Sequence, residues 1–230
     1  MSNLKYQKEL WEKEYDKTKG LPTSKVQGDI SSHIQSFSNS LAKNNISSGL
    51  ILDIGCGLGQ DSYDLARFGY FVYGFDISHE AIKRARKSCP SELAGRTIFE
   101  VMDGTKHWNY QDNFFTGTFD GTTFINFISE RDINHYLSEV SRVTKNGGYS
   151  MFVTPVLPDE YYTSLVREQS SNIVKNHGGL WQRVYRKDEL LSKLEDYFEI
   201  KKLDEIKKVN RMFGKPYKRT QLRILCKNEK

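Results

Sequence analysis

Apolar residues recur along this chain with two periods that alternate. Residues 5–17 place Leu10, Trp11 and Tyr15 on one side of a short helix, and Ile30, Ile34, Phe37 and Leu41 repeat at helical spacing after a loop marked by Gly20, Pro22 and Gly28. "GLILDIG" then reads as a buried strand, Gln60–Phe68 as a helix with Tyr63, Leu65 and Ala66 inward, and "YFVYGFD" as the next strand. Ser78 is the predicted cap of a helix bearing Ala81, Ile82 and Ala85. "RTIFEVMD" and "GTFDGTTFINF" supply two more strands. Ser129 and Asp132 form a capping pair for a helix striped with Ile133, Leu137 and Val140, with Gly147 as its predicted stop before the strand "GGYSMFVTP".

Five strand–helix repeats predict an α/β fold, a mostly parallel sheet covered on both faces, with all strand C-termini on one rim where open sheets bind ligands. The rhythm breaks at the end. After a helix at about residues 187–195, "YFEIKKLDEIKK" and "RTQLRILCKN" follow each other with only a turn around Gly214 and Pro216 between them, which predicts an antiparallel hairpin.

With 230 residues, 37% of them apolar, the chain can bury one sizeable core, so a single domain is expected. No apolar run approaches the roughly 18 residues that span a bilayer, and Met1–Leu10 lacks a signal-peptide core, so a soluble, cytoplasmic protein is expected. The three cysteines, Cys56, Cys89 and Cys226, are odd in number and without any CxxC, which suggests neither a disulfide framework nor a zinc site. Cys89-Pro90 reads as a helix terminator. The net charge of +5 is uneven: residues 201–230 carry 11 Lys or Arg against 3 Asp or Glu. Such a region attracts an anionic partner; equally, it solubilises the exposed edge of a sheet.

"LDIGCGLGQDS", at residues 52–62, puts three glycines in five positions between a strand and a helix. Bare backbone there permits a sharp turn and close approach of a ligand. Counting G-x-G-x-x-G from Gly55 or Gly57 puts Gln60 or Ser62 where the third glycine belongs, so the dinucleotide fingerprint fails, and no P-loop pattern exists. The D-x-G-x-G-x-G of Asp53 to Gly59 is instead similar to the first motif of the class I S-adenosylmethionine-dependent methyltransferases. Asp76 lies 21 residues after Gly55 at a strand end, "VMDG" ends the third strand, and the terminal hairpin resembles the family's sixth and seventh strands.

That resemblance covers about residues 50–230 and implies a Rossmann-like doubly wound sheet of order 3-2-1-4-5-7-6 with an antiparallel terminal strand. It implies S-adenosylmethionine as cofactor and S-adenosylhomocysteine as product. Asp53 would hold the methionyl amino group, Gly55, Cys56, Gly57 and Gly59 the backbone cradle, and Asp76 with Ile77 the ribose. Asp103 would meet the adenine amino group while its neighbours Met102 and Gly104 flank the ring, and Asn126 and Phe127 would sit beside the sulfonium and the acceptor. Each residue also has a plainer reading, Asp76 as a helix-capping acid, Asp103 as half of a D-G turn and Asn126 as packing.

The implied division is 1–46 as a helical lid, 47–155 as the cofactor core, 156–196 as a substrate-side insertion and 197–230 as the hairpin. Trp11 and Tyr15 on the lid, with Tyr161, Tyr162, Trp181 and Tyr185 in the insertion, would line an acceptor cavity, and Arg183 or Arg186 would receive a carboxylate. His177 is the candidate general base, although in-line positioning alone can suffice for an activated methyl group. No acid cluster suggests a metal, and "FINF" departs from the [D/N/S]-P-P-[Y/F] of adenine-N6 enzymes. Glu130 lacks an acidic companion for arginine chemistry. A small-molecule acceptor is expected; the alternatives are an RNA or protein methyltransferase using the basic C-terminal region, or a non-catalytic cofactor-binding partner subunit. Acceptor atom and oligomeric state stay open.

Overall fold

A computed structural model describes residues 3–17 and 30–229; the loop glycines Gly20 and Gly28, with Pro22, lie outside the described residues. Helix α1 (Asn3–Lys17) and helix α2 (Ser32–Lys43) precede the sheet. Strands β1 (Leu50–Ile54), β2 (Phe71–Asp76), β3 (Thr97–Val101), β4 (Phe115–Asp120) and β5 (Thr144–Leu157) then alternate with helices α3 (Gln60–Arg67), α4 (His79–Ser88) and α5 (Glu130–Val143). Between β5 and the terminal hairpin come α6 (Glu160–Gln169), the short strands β6 (Ile173–Lys175), β7 (Trp181–Arg183) and β8 (Tyr185–Arg186), and α7 (Lys187–Glu195). The hairpin is β9 (Glu199–Met212) and β10 (Lys215–Lys227).

The main sheet runs β3-β2-β1-β4-β5-β10-β9, with β8 pairing on β5 and β6–β7 forming a separate hairpin. The first five strands are parallel, and β10 joins β5 antiparallel. This is the expected 3-2-1-4-5-7-6 order, with the last two strands numbered tenth and ninth because β6–β8 intervene. Alternation along the strands feeds two cores. Leu52 and Ile54 point to the side covered by Ile133, Leu137 and Val140 of α5 and Leu190 of α7, while Ile51 and Val72 meet Ile34, Phe37 and Leu41 of α2, Leu65 of α3 and Ile82 of α4. Each such side chain, fully buried, stabilises the fold by about 1.5–3 kcal/mol.

The caps follow the sequence. Ser78 Oγ accepts from the Ala81 N–H (3.1 Å), Ser129 accepts from the Asp132 N–H, and Cys89 is the C-cap of α4. Three local expectations differ. Ile30 precedes α2 and is 44% exposed, because Ser31 caps the helix and starts it later. Gly147 does not stop α5, which ends at Val143 and passes directly into β5. Thr144 Oγ1 donates back to Val140 O at 2.6 Å, and Gly147, with φ +76°, bends β5 where its register against β4 shifts. Pro216 is not in the turn. Phe213 and Gly214, both at positive φ, make it, and Pro216 pairs with Arg211. Proline is tolerated there because β5 pairs β10 only over Gln221–Lys227, so the outer half of the hairpin overhangs the sheet rim and, among the described residues, no strand pairs with Pro216 on that side.

Candidate functional site

The rim above β1, β2, β3 and β4 opens into a cavity of about 740 Å³, lined also by α1 and by the overhanging hairpin. Gly55, Gly57 and Gly59 all lie at positive φ (+67°, +53°, +79°). A Cβ on Gly55 would stand 2.0 Å from Thr123 Oγ1, and one on Gly57 2.7 Å from Tyr15 Oη, so the chain has to be bare at both. Gly59 serves packing, since a Cβ there would strike Phe99 and Tyr63, and it does not line the cavity.

Asp76, at the C-terminal end of β2, accepts the Gly57 N–H through Oδ2 (3.0 Å) and the Ser78 N–H through Oδ1 (2.9 Å). It therefore fixes the glycine loop, caps the turn into α4 and still lines the cavity. Burial pushes its carboxyl up to about 6, against the lowering effect of those bonds. Asp53 is sealed behind the loop at 2% exposure, its Oδ2 accepting from Ser62 Oγ at 2.5 Å, and it does not line the cavity. Burial, with the Asp61 charge next, raises it to about 8. Asp120, bonded by Tyr136 and Thr123, is raised to about 6 by burial. The loop thus rests among carboxylates that share one dry region.

The other expected cofactor residues line the cavity: Gly55, Cys56 and Gly57; Ile77; Met102, Asp103 and Gly104; and Asn126. Asp103 Oδ1 accepts from Thr105 N (2.9 Å) and Oγ1 (2.7 Å), the D-G turn foreseen for it, while facing the cavity. Of the expected acceptor residues, Trp11, Tyr15, Phe127 and Tyr162 are in the wall. Tyr161, Trp181 and Arg183 are not. Tyr161 is fully buried beneath its neighbour, and Trp181 turns its ring toward Lys175. Arg183 is paired with Glu130, which also binds Lys193 at 3.1 Å. Tyr185 stacks on Phe124 in the core, and Arg186 caps α7. His177 is outside the wall as well. Its ring packs on Tyr161 and Phe213, with Nδ1 3.3 Å from Tyr161 Oη, a position that does not suit the base assigned to it.

Several contributors carry no sequence signal. Gln7 on α1 acts as a surrogate strand: Nε2 donates to Trp181 O (2.8 Å) and Oε1 accepts from Trp181 N (3.0 Å). Glu12 accepts from Ser78 Oγ (2.8 Å), His79 N (2.8 Å) and Glu80 N (3.1 Å) at the N-terminus of α4. Burial raises its carboxyl, but the Glu80 and His79 N–H bonds more than offset that and hold it below the ordinary range. These two anchors pin α1 across the cavity, with the Trp11 and Tyr15 rings stacked at 5.9 Å. In the wall, Gln182 gathers an amide network. Its Nε2 donates to Asn126 Oδ1 (3.1 Å), and its Oε1 accepts from Tyr162 Oη (2.9 Å) and Asn176 Nδ2 (3.1 Å). Alternating polar residues in short strands look like ordinary surface positions, which is why the sequence is silent on them.

Known proteins share the fold. Residues 51–148 match the family model described as a methyltransferase domain. The chain is 27% identical over 161 residues to methyltransferase phqN of Penicillium fellutanum, covering 68% of this chain and 48% of that protein. It spans less than half the length of the curated relatives it matches. A SAM-dependent methyltransferase of Methanosarcina mazei superposes with a TM-score of 0.65 at 23% identity, over 80% of this chain and 93% of that one. The 1,6-didemethyltoxoflavin-N1-methyltransferase of Burkholderia thailandensis, solved with 1,6-didemethyltoxoflavin and S-adenosylhomocysteine bound, superposes at 0.61 and 16% identity, over 86% and 79%. At these identities the two structures establish the fold.

Proposed function

We propose that the chain is a class I S-adenosylmethionine-dependent methyltransferase, a reading supported by the match of residues 51–148 to a methyltransferase domain, and that it methylates a small-molecule acceptor. The carrying observation is Asp76, a buried carboxylate anchored by the N–H groups of Gly57 and Ser78 and facing the cavity beside a turn where two side chains would collide. The cofactor is a cationic nucleoside, and the residues present fit it. The walls contributed by α1, the glycine loop and the ends of β2 and β3 carry Glu14, Asp61, Asp76 and Asp103 and no lysine or arginine. Asp53 and Asp76, held partly protonated by burial, gain from a nearby positive charge.

When bound, S-adenosylmethionine supplies a methyl group already activated on sulfonium. This chain's part is to bind, orient and dry. Asp76 would offer its oxygens to ribose hydroxyls, the backbone of Gly55–Gly57 would let the ligand close against the loop, and Asp53, behind that loop, would balance the charge of the amino-acid end. Met102, Asp103 and Gly104 would receive the base. Helix α1, pinned by Gln7 and Glu12, excludes water, and Asn126 and Phe127 hold the acceptor in line. In this reading residues 1–46 serve as lid, 47–155 as cofactor core, 156–196 as acceptor-side insertion and 197–230 as hairpin of one domain.

A cleft of about 740 Å³ suits a small molecule. The basic C-terminal region supports a macromolecular acceptor less well, because Lys201, Lys202, Lys207 and Arg223 pair with Glu199, Asp204 and Glu205, the pattern of a solvated sheet edge. Among the described residues no helix is long and apolar enough to cross a membrane; a cytoplasmic location is part of the proposal. Calorimetry with S-adenosylhomocysteine tests the reading. The parent binds, and Asp76→Ala, losing charge-assisted bonds worth about 1.5–3 kcal/mol, binds roughly tenfold to a hundredfold more weakly. No heat from the parent would sink it.

A further inference from the structure

The cavity reverses its charge along its length. Opposite the acidic walls lies the overhanging hairpin, whose lining residues include Lys208, Arg211 and Arg219 and no carboxylate. Lys208 and Arg211 are exposed at the mouth, whereas Arg219 is built in at 6% exposure. Its Nε donates to Asp159 Oδ2 at 2.7 Å, and its guanidinium carbon lies 5.5 and 5.3 Å from the ring centroids of Tyr161 and Tyr162. Asp159 is itself saturated, accepting from Thr220 N (2.9 Å) through Oδ2 and from Tyr162 N (3.1 Å) through Oδ1.

A buried ion pair is an expensive way to join α6 to β10, since well-packed apolar residues do as well or better. Placing that pair's cation on a cavity wall has a use that joining does not. The planar fork, stiffened by two tyrosine rings and one carboxylate, matches another planar oxyanion. Tyr162, which flanks Arg219, also holds Gln182, and Gln182 holds Asn126 beside the glycine loop, so one chain of contacts connects the basic wall with the cofactor end.

We propose that the methyl acceptor is a small molecule carrying a carboxylate, received by Arg219, with Lys208 and Arg211 drawing it into the mouth. This rests on the methyltransferase reading above. The nearby Asp159 makes a monoanion the fitting charge and a phosphate dianion a poor one. The arginine that reads the acceptor is thus Arg219, which lines the cavity, and not Arg183 or Arg186, which do not.

The test separates a small-molecule cell extract on an anion exchanger into an anionic pool and a neutral-plus-cationic pool, then offers each to the full chain with methyl-labelled S-adenosylmethionine. Label entering the anionic pool is expected, and acceptance should survive phosphatase treatment of that pool. Label confined to the other pool, or lost after phosphatase, overturns the proposal; no label in either, with no heat from S-adenosylhomocysteine, overturns the methyltransferase reading instead. Arg219→Gln should raise KM for the anionic acceptor at least tenfold with the cofactor KM unchanged. In ultrafiltration with S-adenosylhomocysteine, the acceptor should be retained by the parent and not by Arg219→Gln. Should that variant fail to fold, Lys208→Gln/Arg211→Gln, at exposed positions, raises the acceptor KM about threefold at low salt and not at high salt. An unchanged KM in both variants removes the basic wall from recognition.

Discussion

Removing the Glu12 carboxylate tests whether α1 is a latched lid. Glu12 takes three hydrogen bonds from the first turn of α4 and its cap, where the helix dipole also favours a negative charge. Part of their gross strength is lost to solvent, because Glu12 is half-buried. A net contribution of about 2 kcal/mol to closure follows from charge-assisted bonds of about 1.5–3 kcal/mol and a dipole term of about 0.3–1 kcal/mol. That corresponds to roughly thirtyfold in the closed-to-open ratio. Glu12→Ala is therefore expected to speed S-adenosylhomocysteine release ten- to thirtyfold in stopped flow and to raise hydrogen exchange over residues 3–17. The melting temperature should stay within a degree or two, since the two cores lie elsewhere. Because the folded carboxyl sits below its ordinary value, the latch is fully present above pH 4.5 and weakens only as pH falls through the depressed pKa. Opening of α1 itself, read as hydrogen exchange over residues 3–17 corrected for the intrinsic rate, should then be insensitive to pH between 6 and 8. Unchanged release together with unchanged exchange in Glu12→Ala would refute the latch.

Further outcomes are expected. Asp53 and Asp76 are raised in the folded state to about 8 and about 6, so the stability they lend is present at low pH and lost as pH rises through those values. The ligand-free protein should melt lower at pH 9 than at pH 5, and a cationic cofactor, by lowering both pKa values, should release protons at pH 7. Calorimetry in buffers of different ionisation enthalpy reads that release, and no buffer dependence would count against it. Gly55→Ala, whose Cβ meets Thr123 Oγ1 at 2.0 Å at a positive φ, should destabilise by roughly 2–4 kcal/mol in thermal melts, and adding Thr123→Ala should recover only part. His177→Ala should leave kcat within twofold; a tenfold loss would restore the role first assigned to that ring.

Much of the fold was legible because it is written in local periodicity. The stripe Ile133, Leu137 and Val140, the cap at Ser78 and the bare turn at Gly55–Gly57 are short-range features, and the structure places each as read. Reading failed where a distant partner decides. Gly147 looked like a helix stop because a glycine commonly follows a helix, yet Asn228 O takes its N–H at 2.7 Å and draws it into the sheet. His177 drew attention as a titratable group in an insertion, but Tyr161 and Phe213, far along the chain, claim its ring. Gln7 and Arg219 escaped notice because a glutamine on an amphipathic helix and an arginine in a strand are unremarkable until Trp181 and Asp159 are brought to them.

The hairpin's anchoring has an evolutionary corollary. Only Gln221–Lys227 of β10 are bound into the sheet through β5, and the arm beyond them rests on α6 through Phe213, Tyr217 and the Arg219–Asp159 pair, so its composition is tied to the insertion and only indirectly to the nucleoside end. Exchanging arm and insertion together among relatives is a route by which one scaffold could change clientele while its cofactor chemistry stays constant.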